Sequence, residues 1–173
     1  NVVLDVASWV DATGLPADAP TPISDRINKV DHEIQRWVQG TPAKELATSG
    51  WSTFEWMHFL RHLPQTLTDA QMDELDKAYK LTASGNAEVL AAWLEQCIRT
   101  DHDAAFARLD SFLNTVGRRK FLVPLYTQLT ASEKGRILAQ TIYRSARPNY
   151  HSVSVHTIDD LLAWKDNHPP VNF

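Results

Sequence analysis

The sequence predicts an all-α protein, a superhelical stack of antiparallel helix pairs. Apolar residues recur every three to four positions in one segment after another, which is the period of a helix with one buried face. Most of these segments open on an N-cap residue and close near a glycine or proline. The connectors between them are short, as between neighbouring antiparallel helices.

The stretch Val2–Pro16 is mixed and ends in Gly14-Leu15-Pro16. Together with the prolines that follow, it reads as an extended entry segment over residues 1–21, with Trp9 as its anchor. Ser24 then caps a helix carrying Ile27, Val30, Ile34 and Trp37 on one face, and Gly40 and Pro42 stop it. Ser52-Thr53-Phe54-Glu55 has the pattern of a capping box and opens a helix with Phe54, Met57, His58 and Leu60, stopped by Pro64. Thr68-Asp69-Ala70-Gln71 repeats that pattern ahead of Met72, Leu75 and Tyr79. Asn86 caps the next helix, with Val89, Leu90, Trp93, Leu94, Cys97 and Ile98 facing inward. Asp103 starts another, carrying Phe106, Leu109, Phe112 and Leu113. Thr130-Ala131-Ser132-Glu133 opens a late helix with Ile137, Leu138, Ile142 and Tyr143, ended by Arg147-Pro148. Only Ser152–Thr157 alternates like a strand, and it is too short to make a sheet.

At 173 residues the chain is long enough to bury a core as one domain. Hydrophobic residues make up 43% and charged residues 22%, ordinary values for a globular protein. The net charge of −4 at pH 7 gives no electrostatic footprint for nucleic acid or an anionic membrane. No apolar run approaches the ~18 residues that span a bilayer. Cys97 is the single cysteine, so no internal disulfide forms, which fits a reducing compartment; the cytoplasm is the expected setting and the periplasm the alternative.

His58 and His62 form H-x-x-x-H on a predicted helix, a spacing that zinc sites use. Phe59 stands where a metallopeptidase needs its glutamate base, and no third ligand follows, so ordinary boundary histidines are the simpler reading. His32-Glu33 begins a similar motif, but Arg36 fills the second histidine position and cannot ligate. It reads as a solvated helix face. Cys97 belongs to an apolar face beside Trp93 and Leu94, the setting of an unreactive thiol. Trp37 and Trp93 read as core. Trp51 and Trp164 lie near element ends and suit a domain interface.

The strongest polar cluster is Gly117-Arg118-Arg119-Lys120-Phe121. Three cations at the start of a helix oppose its macrodipole, a cost that an anionic ligand removes. Arg118 and Lys120 share a side if the chain is extended there, but diverge within a helix. An arginine can grip a carboxylate with two hydrogen bonds, and a lysine adds a point charge. On composition alone, a solvated basic patch is the favoured account of the cluster, because isolated charge runs usually face solvent.

Two of these segments resemble motifs of a known family. Asn86–Ile98 is similar to the N-x-E-I-x-x-x-W-L-x-x-C-I helix of leukotriene A4 hydrolase and its bacterial aminopeptidase relatives. Gly117–Phe121 followed by Pro124-Leu125-Tyr126 resembles that family's G-R-M-K-F-x-x-P-L-[FY] segment. Gly14-Leu15-Pro16 resembles its entry motif, and Asn149-Tyr150-His151 lies where the family has a late M-H-P turn. The resemblance runs from about Leu4 to about Leu161. It implies that residues 1–173 are the family's C-terminal helical domain, armadillo/HEAT-like in fold. It implies a parent M1-type zinc metalloaminopeptidase whose zinc, glutamate base and N-terminal and catalytic domains lie outside this chain. By itself the chain would then hold no metal or cofactor and be inactive. Arg118 and Lys120 match the family's residues that bind the carboxylate of a short peptide. Arg119 departs from the pattern where an apolar residue stands, Ser152 replaces a proline, and the tail His156–Phe173 runs long. The rival reading is a stand-alone α-helical repeat scaffold for protein–protein interaction. A stand-alone enzyme ranks below both, because no complete catalytic set is present.

Overall fold

The computed structural model describes residues 9–11, 13–14 and 24–165. Most of the expected extended entry segment over 1–21 lies outside the described residues, as does the end of the tail from 166 to 173; where it is described, Trp9 and Val10 are helical rather than extended, and Trp9, the expected anchor, is exposed. Among residues 24–165 the chain forms eight α-helices and no strand. They are α1 (Asp25–Val38), α2 (Thr53–Arg61), α3 (Asp69–Tyr79), α4 (Ala87–Arg99), α5 (Phe106–Thr115), α6 (Arg119–Leu129), α7 (Glu133–Ala146) and α8 (Ser152–Leu162). The all-α architecture is therefore the one the periodicity predicts.

Local capping sets most of the helix starts. The Ser24 hydroxyl accepts from the Ile27 amide, and Asn86 accepts from the amides of Glu88 and Val89. The capping boxes at Ser52/Glu55 and Thr68/Gln71 both form. Each satisfies amides that no helical carbonyl can reach. α7 starts later than the sequence suggests: Ser132, not Thr130, caps it through the Gly135 amide. Asp103 opens only a 3-10 turn, Asp103–Ala105, and α5 begins at Phe106.

The strand-like alternation at Ser152–Thr157 is overridden. His151 caps α8 there, and Ser154, Ile158 and Leu162 form the buried stripe, four residues apart. That is a helical period, and it carries the helix through the first part of the supposed tail.

α1 packs on α2 and α6 on α7, but most of the close packing joins alternate helices. α2 packs on α4, α4 on α6 and α6 on α8, while α5 packs on α7 in a second layer. The core between the layers includes Phe59, Leu60, Trp93, Leu94, Leu109, Phe112, Leu122, Tyr126, Ile142 and Tyr143. Two apolar residues assigned inward from spacing instead face out: Phe54 is 78% exposed and Ile137 59%. In α2 the capping box turns Glu55 inward, and Phe59 and Leu60 take the buried face.

Polar contacts tie together the N-terminal ends of the α2–α4–α6–α8 layer. The Asn86 amide donates to the Thr53 hydroxyl at 2.8 Å, joining α4 to α2. Lys120 pairs with Glu88, joining α6 to α4. The Arg119 guanidinium donates to the Thr157 hydroxyl at 3.1 Å, and Ser154 donates to the Gly117 carbonyl at 3.3 Å, joining α6 to α8. The four helices thus run the same way and gather their N-termini along one edge.

Candidate functional site

Arg118 and Lys120 lie on that edge. Arg118 is the N-cap of α6 with extended backbone, φ −76° and ψ 119°, and its donor-only side chain makes no cap hydrogen bond. The chain is thus extended at Arg118 and helical from Arg119, and both cations reach the ring of Phe121. The Arg118 guanidinium lies 5.8 Å, and the Lys120 ammonium 4.7 Å, from the centroid of the same ring, that of Phe121. Phe121 is held in the core edge-on to Phe112, at 5.8 Å and 70°. Arg119 points away towards Thr157 on α8.

The two cations differ in their company. Lys120, about half exposed, forms an ion pair with Glu88 in the first turn of α4. Arg118 is exposed and has no ion pair among the described residues. Pro124 supplies no amide to the Lys120 carbonyl one turn back, which loosens the first turn of α6. An open depression of about 340 Å³ lies there, lined by Arg119, Lys120, Val123 and Pro124. Arg118 is not among the residues that line it, and the positive end of the α6 dipole lies at the same edge.

The segment before Arg118 is fastened from behind. Tyr150 is buried and donates its hydroxyl to the Leu113 carbonyl at 2.6 Å. With that proton used, Tyr126 must donate to the Tyr150 oxygen, 3.2 Å away. Burial pushes the Tyr150 hydroxyl up to about 12, against the pull of that incoming hydrogen bond. The α7–α8 junction is closed by Tyr143, which donates to Asp159 at 2.7 Å, and by Arg147, which grips the same carboxylate with two bonds of 2.9 and 2.8 Å. The Arg147 guanidinium holds the Asp159 carboxyl below its ordinary range.

The other candidates have different occupations. His58 Nε2 lies 2.6 Å from an Asp31 oxygen, His62 Nδ1 is 2.8 Å from the His58 carbonyl, and the two rings stack at 3.8 Å. One nitrogen of each ring is thus engaged, His58 with a carboxylate and His62 with a backbone carbonyl. Among the described residues no group of three or more His, Cys, Asp or Glu is placed to hold a metal ion. These residues do not fit a zinc site. Glu33 is not on a solvated face: it is buried, paired with Arg36 at 2.7 Å, and accepts the Ala47 amide at 2.9 Å. Cys97 is fully buried, and burial pushes its thiol far above the ordinary range. His102 is also buried, with its ring 3.1 Å from Asp69. Trp51 is half-buried among Trp56 and Phe59, and Trp164 packs edge-on against Tyr143 at 5.2 Å. A larger cleft of about 520 Å³ lies between α1 and α2, but there Arg26 is already gripped by Glu55 at 2.6 and 3.0 Å.

Phe121 and Glu88 complete the basic edge, and neither was assigned a role from sequence. Both lie within the family-like motifs, which was the available signal. Their part depends on the packing of α4 on α6, which the sequence does not display.

The fold and this edge define the class: an all-helical domain with two exposed cations at the start of α6. The chain belongs to the leukotriene A4 hydrolase C-terminal family, whose model matches residues 51–162. Aminopeptidase B from Mus musculus is 26% identical over 169 residues, covering 92% of this chain and 26% of that protein. Leucine aminopeptidase 2 from Neurospora crassa is 29% identical over 157 residues, covering 87% of this chain and 23% of that protein. The chain thus spans about a quarter of the length of these relatives. The structure of yeast LTA4 hydrolase in complex with bestatin shares the fold, with a TM-score of 0.69 at 20% identity over 93% of this chain and 29% of that one.

Proposed function

We propose that this chain is the C-terminal domain of an M1-type zinc metalloaminopeptidase. In this reading it lines the substrate cleft and binds the carboxylate end of short peptides through Arg118 and Lys120. The observation that carries the reading is the contact of both cations with the Phe121 ring, at an uncapped helix start. Family membership and relatives named as aminopeptidases support the parent class.

The chemistry of this domain is positional. Arg118 offers a planar fork to a carboxylate, and Lys120 adds charge from the side. Fixing one end of a peptide sets how far the other end reaches, so the edge selects for short free peptides. Zinc and its general base belong to the catalytic domain of the same polypeptide, with which this domain shares the cleft. The isolated chain is then inactive. A cytoplasmic setting agrees with the single buried thiol, and neither nucleic acid nor membrane is a partner. No described helix is long and apolar enough to cross a membrane.

The test is the coding sequence upstream of Asn1. A continuous frame of several hundred codons encoding H-E-x-x-H and a downstream glutamate is expected. A start codon directly ahead of Asn1 would overturn the peptidase reading and leave the stand-alone scaffold in its place.

A further inference from the structure

Glu88 stands against the Lys120 ammonium across the α4–α6 interface, with its side chain about one third exposed. Lys120 is thereby held between a carboxylate and the face of Phe121. Arg118, on the same ring, carries its charge unpaired among the described residues. Arg119 is turned to the Thr157 hydroxyl on α8, and the two cations on the Phe121 ring with Glu88 leave one positive charge, the match for one carboxylate. A ligand carboxylate can take both donors of the Arg118 fork and still share Lys120, whose ammonium has three protons. A second carboxylate arriving with the first has no second free cation on this ring, and it meets Glu88.

We propose that Glu88 is a specificity-determining residue that makes the edge select peptide ends with a single negative charge. Free peptides ending in aspartate or glutamate are disfavoured, and those ending in a neutral residue are favoured. This rests on the reading above that Arg118 and Lys120 bind the substrate carboxylate. Glu88 acts in two ways: it neutralises much of Lys120, and it repels a side-chain carboxylate brought alongside. Like charges about 5 Å apart at a wetted surface repel by enough to change affinity roughly five- to tenfold.

The experiment uses the full-length enzyme and two free tripeptides that differ only in a C-terminal Gln or Glu. The kcat/KM ratio of the Gln-ended to the Glu-ended peptide is measured in the wild type, in Glu88→Gln and in Glu88→Asp. Because both substrates are read on one preparation, the ratio does not depend on the fraction of folded enzyme. The ratio should favour the Gln-ended peptide in the wild type, fall about five- to tenfold in Glu88→Gln, and stay close to the wild type in Glu88→Asp. An unchanged ratio in Glu88→Gln, with the wild type still preferring free peptides over their amides, overturns the role of Glu88 alone. A wild type with no preference for free peptides over amides overturns the carboxylate reading and this inference with it.

Discussion

Replacing Tyr150 by phenylalanine removes one oxygen and disconnects two buried groups. The hydroxyl donates to the Leu113 carbonyl near the end of α5 and accepts from Tyr126, which is fully buried. Neither partner has water to replace it with. An orphaned buried polar group costs about 1–3 kcal/mol, so Tyr150→Phe should cost about 2–3 kcal/mol in all. For a domain of this size that lowers the midpoint by about 5–10 °C. The Tyr150 ring remains, so the effect isolates the hydroxyl. Thermal and urea unfolding of Tyr150→Phe, Tyr126→Phe and the double variant measure it. The double variant should cost at least about 0.5 kcal/mol less than the sum, because each single change orphans the other's partner. A loss below about 0.5 kcal/mol with strict additivity would refute the proposed relay behind the Arg118 segment.

Three further outcomes follow from the same geometry. The carboxyl of Glu55 is lowered from 4.5 to about 2, by the Arg26 side chain first and by Ser52 next. A carboxyl with a depressed folded-state value stabilises fully above its unfolded value, and that contribution is lost as pH falls towards the folded one. The melting-temperature gap between wild type and Glu55→Gln should therefore be full at pH 6 and close between about pH 4.5 and pH 2; a gap constant over that range would contradict the pairing. Cys97 should resist a thiol reagent in the native state and react at the rate of unfolding, so rapid native labelling would contradict its burial. Gly135→Ala places a methyl 2.3 Å from the Leu129 carbonyl oxygen and should cost about 1–3 kcal/mol on denaturant unfolding. No loss of stability would show that the α6–α7 turn yields freely.

The helix starts at Ser24, Ser52, Thr68 and Asn86 were legible because capping is local chemistry, written within four residues. α8 was not. Val153 and Val155 mimic a strand over a short window, and only the burial of Ser154, Ile158 and Leu162 reveals the helical stripe. Phe54 misled for a related reason: the pull of Arg26 on Glu55 comes from α1, 29 residues earlier. The basic edge was half legible. Three successive cations mark it in the sequence, but whether Arg118 and Lys120 converge depends on where α6 begins. Glu88 stands 32 residues before Lys120, and their meeting is a product of tertiary packing.

The central claim is that Arg118 receives the carboxylate of a free peptide. The most direct measurement compares kcat/KM for a free tripeptide and for an aminoacyl amide in the full-length enzyme, wild type against Arg118→Ala. A charge-assisted hydrogen bond is worth about 1.5–3 kcal/mol, so the free peptide should lose about ten- to a hundredfold while the amide stays within about twofold. Equal losses on the two substrates would contradict the account.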